Sequence, residues 1–447
     1  MEQSGFIVGI DLGTSNIVGV LGRKNEQGVI SILASEIISS DSCVKYGVIY
    51  NIDEAAGKIK KLISLLENKT GKKIGKAYVS VAGKSLRAVE HAEVKLLDGF
   101  TPITFAVLDN MEQQAKLNKP DFFTNYSVLA PEYYLDGKYE EDPIDKTASS
   151  IEGRYRLVIG RPNIKANLTK SIADKSHVEI AGFIVGPVAA GALVLDENDR
   201  QAGCALIDFG AGTTTLSIYK GGLLRYMSVI PFGGRTITKD VQELGFVFDS
   251  AEAYKIRYGK LGKDKNKAAG EVSPDVDLRE LNKVIQLRQD EIILNVINQI
   301  KESGYGDQLD AGIIMIGGAS QMSGLVDHLA EKSQLPVKRA VAKRVYINNA
   351  AELLQNPFYT QALSLLLFAN ENCERKEVIA PIVEPVYVAP TPPPVAQPIQ
   401  PESEEEEERE TKKHKKEKKH KDGKQTTLFG FFEKIQNFGG TMFNDEE

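Results

Sequence analysis

Only three cysteines, Cys43, Cys204 and Cys373, occur in 447 residues. Odd in number, scattered and without the close spacing of metal ligands, they argue against a disulfide framework and a zinc site, and they fit a reducing cytosol. No uninterrupted apolar stretch approaches the roughly 20 residues that a spanning helix needs, so any membrane contact is expected to be peripheral. The N-terminus has no basic flank followed by an apolar core, so no secretory signal is read there. A basic excess is also missing: 55 Lys and Arg against 61 Asp and Glu leave a formal net charge of -6. With no long basic stripe interleaved with aromatics in the globular part, no nucleic acid partner is expected. What is present is 42% hydrophobic content, enough for two or more packed lobes.

From Met1 to about Asn370, apolar strand-like runs alternate with helical patterns, the signature of an α/β architecture with buried sheets. The texture then changes. Residues 381–401 (PIVEPVYVAPTPPPVAQPIQP) favour extended, semi-rigid chain, and an acidic run, Glu404 to Glu408, meets a lysine-rich run from Lys412 to Lys424. Neither charged run buries enough apolar surface to fold alone, so a disordered tether is expected there.

Residues 6–21 (FIVGIDLGTSNIVGVL) read as two β-rich runs joined by a tight turn of Gly13, Thr14, Ser15 and Asn16. The glycine lets backbone approach a phosphate, the hydroxyls and N–H groups donate to it, and Asp11 at the strand end can hold Mg²⁺ through water. An ordinary Gly-Thr turn would read the same way. A second copy alters that balance: residues 204–219 (CALIDFGAGTTTLSIY) carry Asp208 and a turn with Gly210, Gly212, Thr213 and Thr214. Two such hairpins imply two similar domains facing one nucleotide cleft. A third element, GIIMIGGAS at 312–320, runs a buried strand into Gly317, Gly318 and Ala319, where absent or small side chains admit a flat adenosine. Before it, LNKVIQLRQDEIILNVINQI has helical apolar spacing at 285, 292, 293, 296, 297 and 300, read as core packing. The three motifs in this order are the fingerprint of the actin and sugar-kinase superfamily.

Within that superfamily the body from Phe6 to about Ala369 resembles the bacterial cell division family FtsA. The resemblance is carried by AYVSVAGKSL (77–86), SVLAPEYYLDG (127–137), KGGLLRYMSVIPFGGRTITKD (220–240), SAEAYKIRYG (250–259) and NPFYTQALSLLLFA (356–369). It implies an actin-like two-lobed fold of duplicated ribonuclease-H-like domains. Lobe 1 (1A) takes residues 1–83 and 161–199, with an inserted 1C subdomain at 84–160, a polymer and partner surface. Lobe 2 (2A/2B) takes 200–340, and 341–372 returns to lobe 1. A linker follows at 373–424, and an amphipathic membrane-targeting helix at 425–443. The resemblance also implies ATP with Mg²⁺ at Asp11 and Asp208. Glu252 and Lys255, one helical turn apart, face the ribose and base, with Gly233 and Gly234 nearby. A solvated surface ion pair is the competing reading of Glu252 and Lys255.

Superfamily ATPases carry a carboxylate just before the Pro of the connecting segment. Here FIVGPVAAGALVL places Gly186 before Pro187, so no side chain is available to orient or deprotonate water. The second loop also ends Thr213-Thr214-Thr215 where many relatives place an Asp, and Ala211 stands in for a Gly. Nucleotide binding with slow turnover at best is the expectation, and no catalytic residue is assigned.

The terminal segment TTLFGFFEKIQNFGGTMF sets Leu428, Phe431, Phe432, Ile435, Phe438 and Met442 at steps of three and four, one apolar face of an interfacial helix. The preceding lysines would meet anionic lipid headgroups. Docking of this segment back onto the body is the alternative; Gly430, Gly439 and Gly440 weaken helicity, and Asp445, Glu446 and Glu447 would repel anionic lipid. The resemblance implies a peripheral protein at the cytoplasmic face of the inner membrane at the division site. Its partners would be the tubulin-like FtsZ, through its C-terminal peptide and on lobe 2, further copies of itself, and later membrane proteins of the divisome. The alternatives are an active actin-fold enzyme, a sugar kinase or chaperone-type ATPase, or an actin-like pilus-assembly adaptor.

Overall fold

The computed structural model describes residues 5–40, 43–262 and 277–375. The linker from 376 onward and the apolar face from Leu428 to Met442 lie outside the described residues.

The first hairpin, β1 (Ile7–Leu12) and β2 (Asn16–Lys24), is extended antiparallel by β3 (Ile30–Ser39). Short strands β4 (Val44–Lys45) and β5 (Val48–Ile49) pair with each other and lead into helix α1 (Ile52–Thr70). Asn51 caps α1 by accepting from the Glu54 N–H, acidic Asp53 and Glu54 sit at its positive end, and Gly71 ends it with a left-handed φ of 68°. Ala55, Ile59, Leu62, Ile63 and Leu66 recur every three or four residues and form its buried face. That face lies on β2 and β3. Gly19 allows the approach, since a Cβ there would come within 2.8 Å of Leu66. Strand β6 (Lys76–Val81) then runs parallel to β1.

A separate small sheet interrupts this lobe. It comprises β7 (Arg87–Leu96), β8 (Thr124–Leu135), β9 (Lys138–Glu140) and β10 (Ser150–Gly160), antiparallel in the order β7-β10-β8-β9, with helix α2 (Phe105–Leu117) against it. Along β10 buried and half-buried residues alternate, so Ile151, Tyr155, Leu157 and Ile159 meet Met111 and Ala115 of α2 in a core of their own.

The chain re-enters lobe 1 through α3 (Asn163–Thr169) and β11 (Glu179–Val185), parallel to β6, followed by α4 (Gly186–Val194) and α5 (Glu197–Ala202). The second lobe repeats the plan. Strands β12 (Cys204–Phe209), β13 (Thr214–Lys220) and β14 (Leu223–Ile230) form an antiparallel meander, then α6 (Gly234–Gln242), α7 (Phe248–Tyr258) and α8 (Leu278–Glu302) follow. Strand β15 (Ile313–Ile316) adds parallel to β12; after α9 (Leu325–Ser333), β16 (Val337–Arg339) adds parallel to β15. Finally β17 (Ile347–Asn348) pairs with β3 of lobe 1, and after α10 (Ala351–Gln355) helix α11 (Thr360–Phe368) packs on β1 and α4.

The sheets thus read β11-β6-β1-β2-β3-β17 and β14-β13-β12-β15-β16, each an antiparallel meander continued on one side by two parallel strands, with β17 added parallel at the other edge of the first. This is the duplicated, actin-like two-lobed architecture that the repeated hairpins predict. Strand β12 shows how one strand serves two cores: Cys204 and Leu206 join the lobe 1 core, while Ala205, Ile207 and Phe209 face the core of α6, α8 and α9. In α8 the apolar spacing is core packing, with Ile285, Ile292, Ile293, Val296 and Ile300 buried. The chain stays packed a little past the boundary at 372 drawn from composition. Cys373 is buried, its N–H donates to Phe6 O at 2.8 Å, and the Arg375 N–H donates to Lys73 O at 2.8 Å. Among the described residues no helix is long and apolar enough to cross a membrane.

The insert is fastened to the second lobe by charge. Glu132 of β8 receives both ends of the Arg225 guanidinium of β14, Nη2 at 2.8 Å and Nη1 as well, and Arg156 Nε donates to Arg225 O at 3.2 Å. Arg225 holds the Glu132 carboxyl below its ordinary range. Leu62, fully buried under the first hairpin, supports the whole lobe. Its replacement by alanine is expected to cost about 2–5 kcal/mol in a urea unfolding experiment with unchanged m-value.

Candidate functional site

Both hairpin turns are built alike. The Gly13 N–H donates to Asn16 O at 2.9 Å, and the Gly210 N–H donates to Thr213 O at 3.0 Å. In each turn a Cβ would strike the same carbonyl, at 2.9 Å in the first and 2.8 Å in the second, which is why glycine opens both. The two turns touch tip to tip: a side chain at Gly212 would fall 2.5 Å from Thr14 Oγ1. Thr14 is itself held from three sides, by Ser40 Oγ and Arg235 Nη1 on its carbonyl at 2.5 and 3.2 Å, and by the Gly47 N–H on its hydroxyl at 3.1 Å. Ser15 and Asn16 complete the first turn through their backbone carbonyls.

Asp11 and Asp208 end β1 and β12, the same position in each repeat, and the two carboxylates repel across the cleft. Burial pushes Asp11 up to about 6, opposed by the Ser80 hydroxyl, which donates to Oδ1 at 2.6 Å, and reinforced by Asp208. Burial also raises Asp208, opposed by Gln361, whose Nε2 donates to Oδ2 at 2.9 Å. Gly317, at φ 89°, leaves room for Asp208: a Cβ there would lie 2.2 Å from Oδ1. Gly318 is covered by the Phe358 ring, and Ala319 by the second repeat, with its Cβ 3.2 Å from where one at Gly234 would be.

Gly233 and Gly234 press helix α6 onto the second turn. The Gly234 N–H donates to Gly210 O at 3.0 Å and the Arg235 N–H to Ala211 O at 2.7 Å. A Cβ at Gly233 would meet those two carbonyls at 2.6 and 2.7 Å. Lys255 reaches the same place from α7. It is only 6% exposed, and its Nζ donates to Gly234 O at 3.0 Å, Thr238 Oγ1 at 2.9 Å and Glu252 Oε2 at 2.7 Å. Burial lowers the Lys255 ammonium, opposed by Glu252. Lys255 is therefore packed against the second turn, and the pair is not the fully solvated one that spacing also allowed.

Thr213 lies half-buried in its turn, whereas Thr214 is fully buried and gives its hydroxyl to Phe232 O at 2.9 Å, inside the lobe. The structure thus brings Asp11, Gly13, Thr14, Asp208, Gly210, Gly212, Gly233, Gly234, Glu252, Lys255, Gly317 and Ala319 around one cleft and turns the Thr214 hydroxyl away from it. Sequence reasoning missed Ser80 and Gln361, which hold the two aspartates. Their signal was weak: one hydroxyl in the buried run AYVSV, and one amide opening the otherwise apolar TQALSLLLF.

The Asp11 shift carries a sign. Between its ordinary 3.8 and about 6, the folded chain holds a proton that the unfolded chain releases. This group therefore adds stability below that range, and the contribution is lost as pH rises through about 6. The unliganded protein is expected to melt a few degrees higher at pH 5 than its other groups would give, relative to pH 7. Asp11→Asn should be more stable than the parent at pH 7 and lack that gain, read by calorimetry across the range.

Residues 205–364 match the family model "Cell division protein FtsA". The chain is 28% identical over 372 residues to the cell division protein FtsA of Porphyromonas gingivalis, covering 79% of this chain and 77% of that one. To its counterpart in Pseudomonas aeruginosa it is 28% identical over 380 residues, covering 82% and 90%. Among solved structures, one described as a PilM-PilN type IV pilus biogenesis complex superposes with a TM-score of 0.59 at 15% identity, over 81% of this chain and 98% of that one, a likeness of fold alone. With the two Asp-bearing hairpins in the expected repeat and relatives aligned along most of its length, the chain is similar to the FtsA family of actin-like cell division proteins.

Proposed function

We propose that this chain binds ATP in the cleft between its two hairpins and polymerises through its body. We propose too that it tethers FtsZ filaments to the inner face of the cytoplasmic membrane at the division site, where later membrane proteins of the divisome join. The observation that carries the cleft reading is the pair of half-buried aspartates, Asp11 and Asp208, at equivalent positions near the strand ends. Two half-buried carboxylates facing each other fit a divalent cation, whose charge would offset both the partial desolvation and the repulsion. Mg²⁺ keeps most of its waters and takes one or two carboxylates plus phosphate oxygens, so two aspartates acting through water suffice. Bound there, the cation would supply neutralisation of the phosphates.

The chain's own groups divide the remaining work. The turns at Gly13, Thr14, Ser15 and Asn16 and at Gly210, Gly212, Thr213 and Thr214 offer backbone N–H groups and hydroxyls to phosphates. Gly317 and Ala319 border the place for the adenosine, with the Phe358 ring standing over Gly318. Glu252 and Lys255, with Gly233 and Gly234, face the ribose. With Gly186 in place of a carboxylate, binding outruns hydrolysis, and the nucleotide acts by favouring the conformation that assembles. Weak membrane anchors at Leu428, Phe431, Phe432, Ile435, Phe438 and Met442 would then add along a filament into firm attachment to anionic lipid.

The experiment is co-flotation of full-length protein and of a version truncated before Lys424 with anionic liposomes and Mg-ATP. Only the full-length protein should float; equal behaviour of the two would end the tether reading. Lys255→Ala should weaken ATP binding roughly tenfold in a titration, the worth of about one hydrogen bond to the charged group. An unchanged affinity would remove Lys255 from the nucleotide site. Steady-state turnover of the parent should stay below about one per second, under the usual enzyme range.

A further inference from the structure

The position that sequence leaves empty is filled from elsewhere in the chain. A Cβ built on Gly186 would lie 3.1 Å from Gln361 Oε1 and 3.6 Å from Gln361 Cδ. Gln361 thus stands, from the start of α11, where a side chain at the start of α4 would point. Its two amide atoms are used unequally. Nε2 donates to Asp208, which fixes the plane of the amide. Oε1, on the other end, is buried and has no hydrogen-bond partner. A buried carbonyl oxygen without a donor costs free energy and is retained where something else donates to it. The next atom beyond Gln361 from that Cβ is the Val81 carbonyl oxygen, at 3.7 Å, which cannot donate.

We infer that Gln361 positions the water that attacks the terminal phosphate of the bound nucleotide. The inference rests on the nucleotide reading of the cleft. Anchored to Asp208, the amide presents Oε1 as an acceptor, and one O–H of the water donates to it, which aims the oxygen lone pair. The water oxygen forms the new bond to phosphorus while the bond to the bridging oxygen breaks, giving ADP and inorganic phosphate. A carboxamide does not take up a proton at neutral pH, so the proton of the water goes to the phosphate product and solvent. The amide therefore orients without deprotonating. Hydrolysis proceeds slowly, limited by the absence of a base and not by the absence of a site for water.

The test uses the full chain and separates this inference from the reading beneath it. ADP affinity is measured by titration for the parent, Gln361→Ala, and the double variant carrying Gln361→Ala with Gly186→Glu. It is then measured again with aluminium fluoride, which fills the terminal phosphate position with an in-line water. Slow phosphate release is followed in parallel under single-turnover conditions. Because Gln361 also holds Asp208, Gln361→Ala is read by difference: its affinity for ADP with aluminium fluoride is expected to fall roughly tenfold further than its affinity for ADP alone, the worth of one hydrogen bond. Phosphate release should slow by a similar factor. The double variant should recover both, since a carboxylate on α4 reaches the same water and can also accept its proton. A purely structural Gln361 would instead weaken ADP and ADP with aluminium fluoride equally, with no rescue by Gly186→Glu. That result, or an unchanged gain in Gln361→Ala, overturns the inference while leaving ADP binding intact. Failure of the parent to bind ADP would instead overturn the nucleotide reading, and this inference with it.

Discussion

Two half-buried carboxyl groups set opposite each other are the constraint around which the site is arranged. Asp11 and Asp208 could each sit at a strand end in any α/β protein, but the duplication sets them across one cleft, where neither ionises freely. Everything adjacent limits that repulsion or prepares for a ligand that would remove it. Ser80 and Gln361 each give one hydrogen bond to one carboxylate, and Gly317 withdraws its side chain so that Asp208 fits. Near the turns the two lobes are bridged by single hydrogen bonds, such as the Arg235 guanidinium on the Thr14 carbonyl and the Gln361 amide on the Asp208 carboxylate.

The repeat itself was legible because it is local. A hydrophobic strand, an aspartate, a glycine turn with hydroxyls and a second strand fall within sixteen residues in each copy, and hairpin pairing needs nothing distant. The third motif was legible for the same reason: four buried residues, Ile313 to Ile316, run into a glycine at positive φ. What spacing could not settle was the fate of Glu252 and Lys255. One helical turn apart on α7, they fit a solvated pair equally well, and only the arrival of α6 from the neighbouring segment buries Lys255 against Gly234 and Thr238. Tertiary placement decided what local periodicity left open.

The linkage of the inserted sheet to lobe 2 was likewise invisible in sequence. Glu132 and Arg225 are separated by 93 positions, and each sits in a strand whose alternation says only which face is wet. Their paired geometry ties β8 of the insert to β14, the outer strand of the meander whose inner strand β12 carries Asp208. A bidentate Arg–carboxylate contact fixes angle as well as distance, so the insert follows the second lobe as well as the first, from which it emerges. A surface carried on the insert is in this way mechanically joined to both walls of the cleft.

Gly186 illustrates how a missing side chain differs from a missing function. Read along the chain, FIVGPVAAG lacks the carboxylate that would sit before Pro187, and the reading stops at an absence. In three dimensions the start of α4 and the start of α11 adjoin, because both helices pack on the same sheet, and the polar head of TQALSLLLF faces the gap. Whether a position supplies a group is thus a question about a volume and not about a residue number. An amide in that volume shares the geometry of a carboxylate but not its basicity, so orientation is kept and proton transfer is given up. If the nucleotide acts by being bound, as proposed, that exchange would lengthen the lifetime of the assembling state without altering the shape of the cleft.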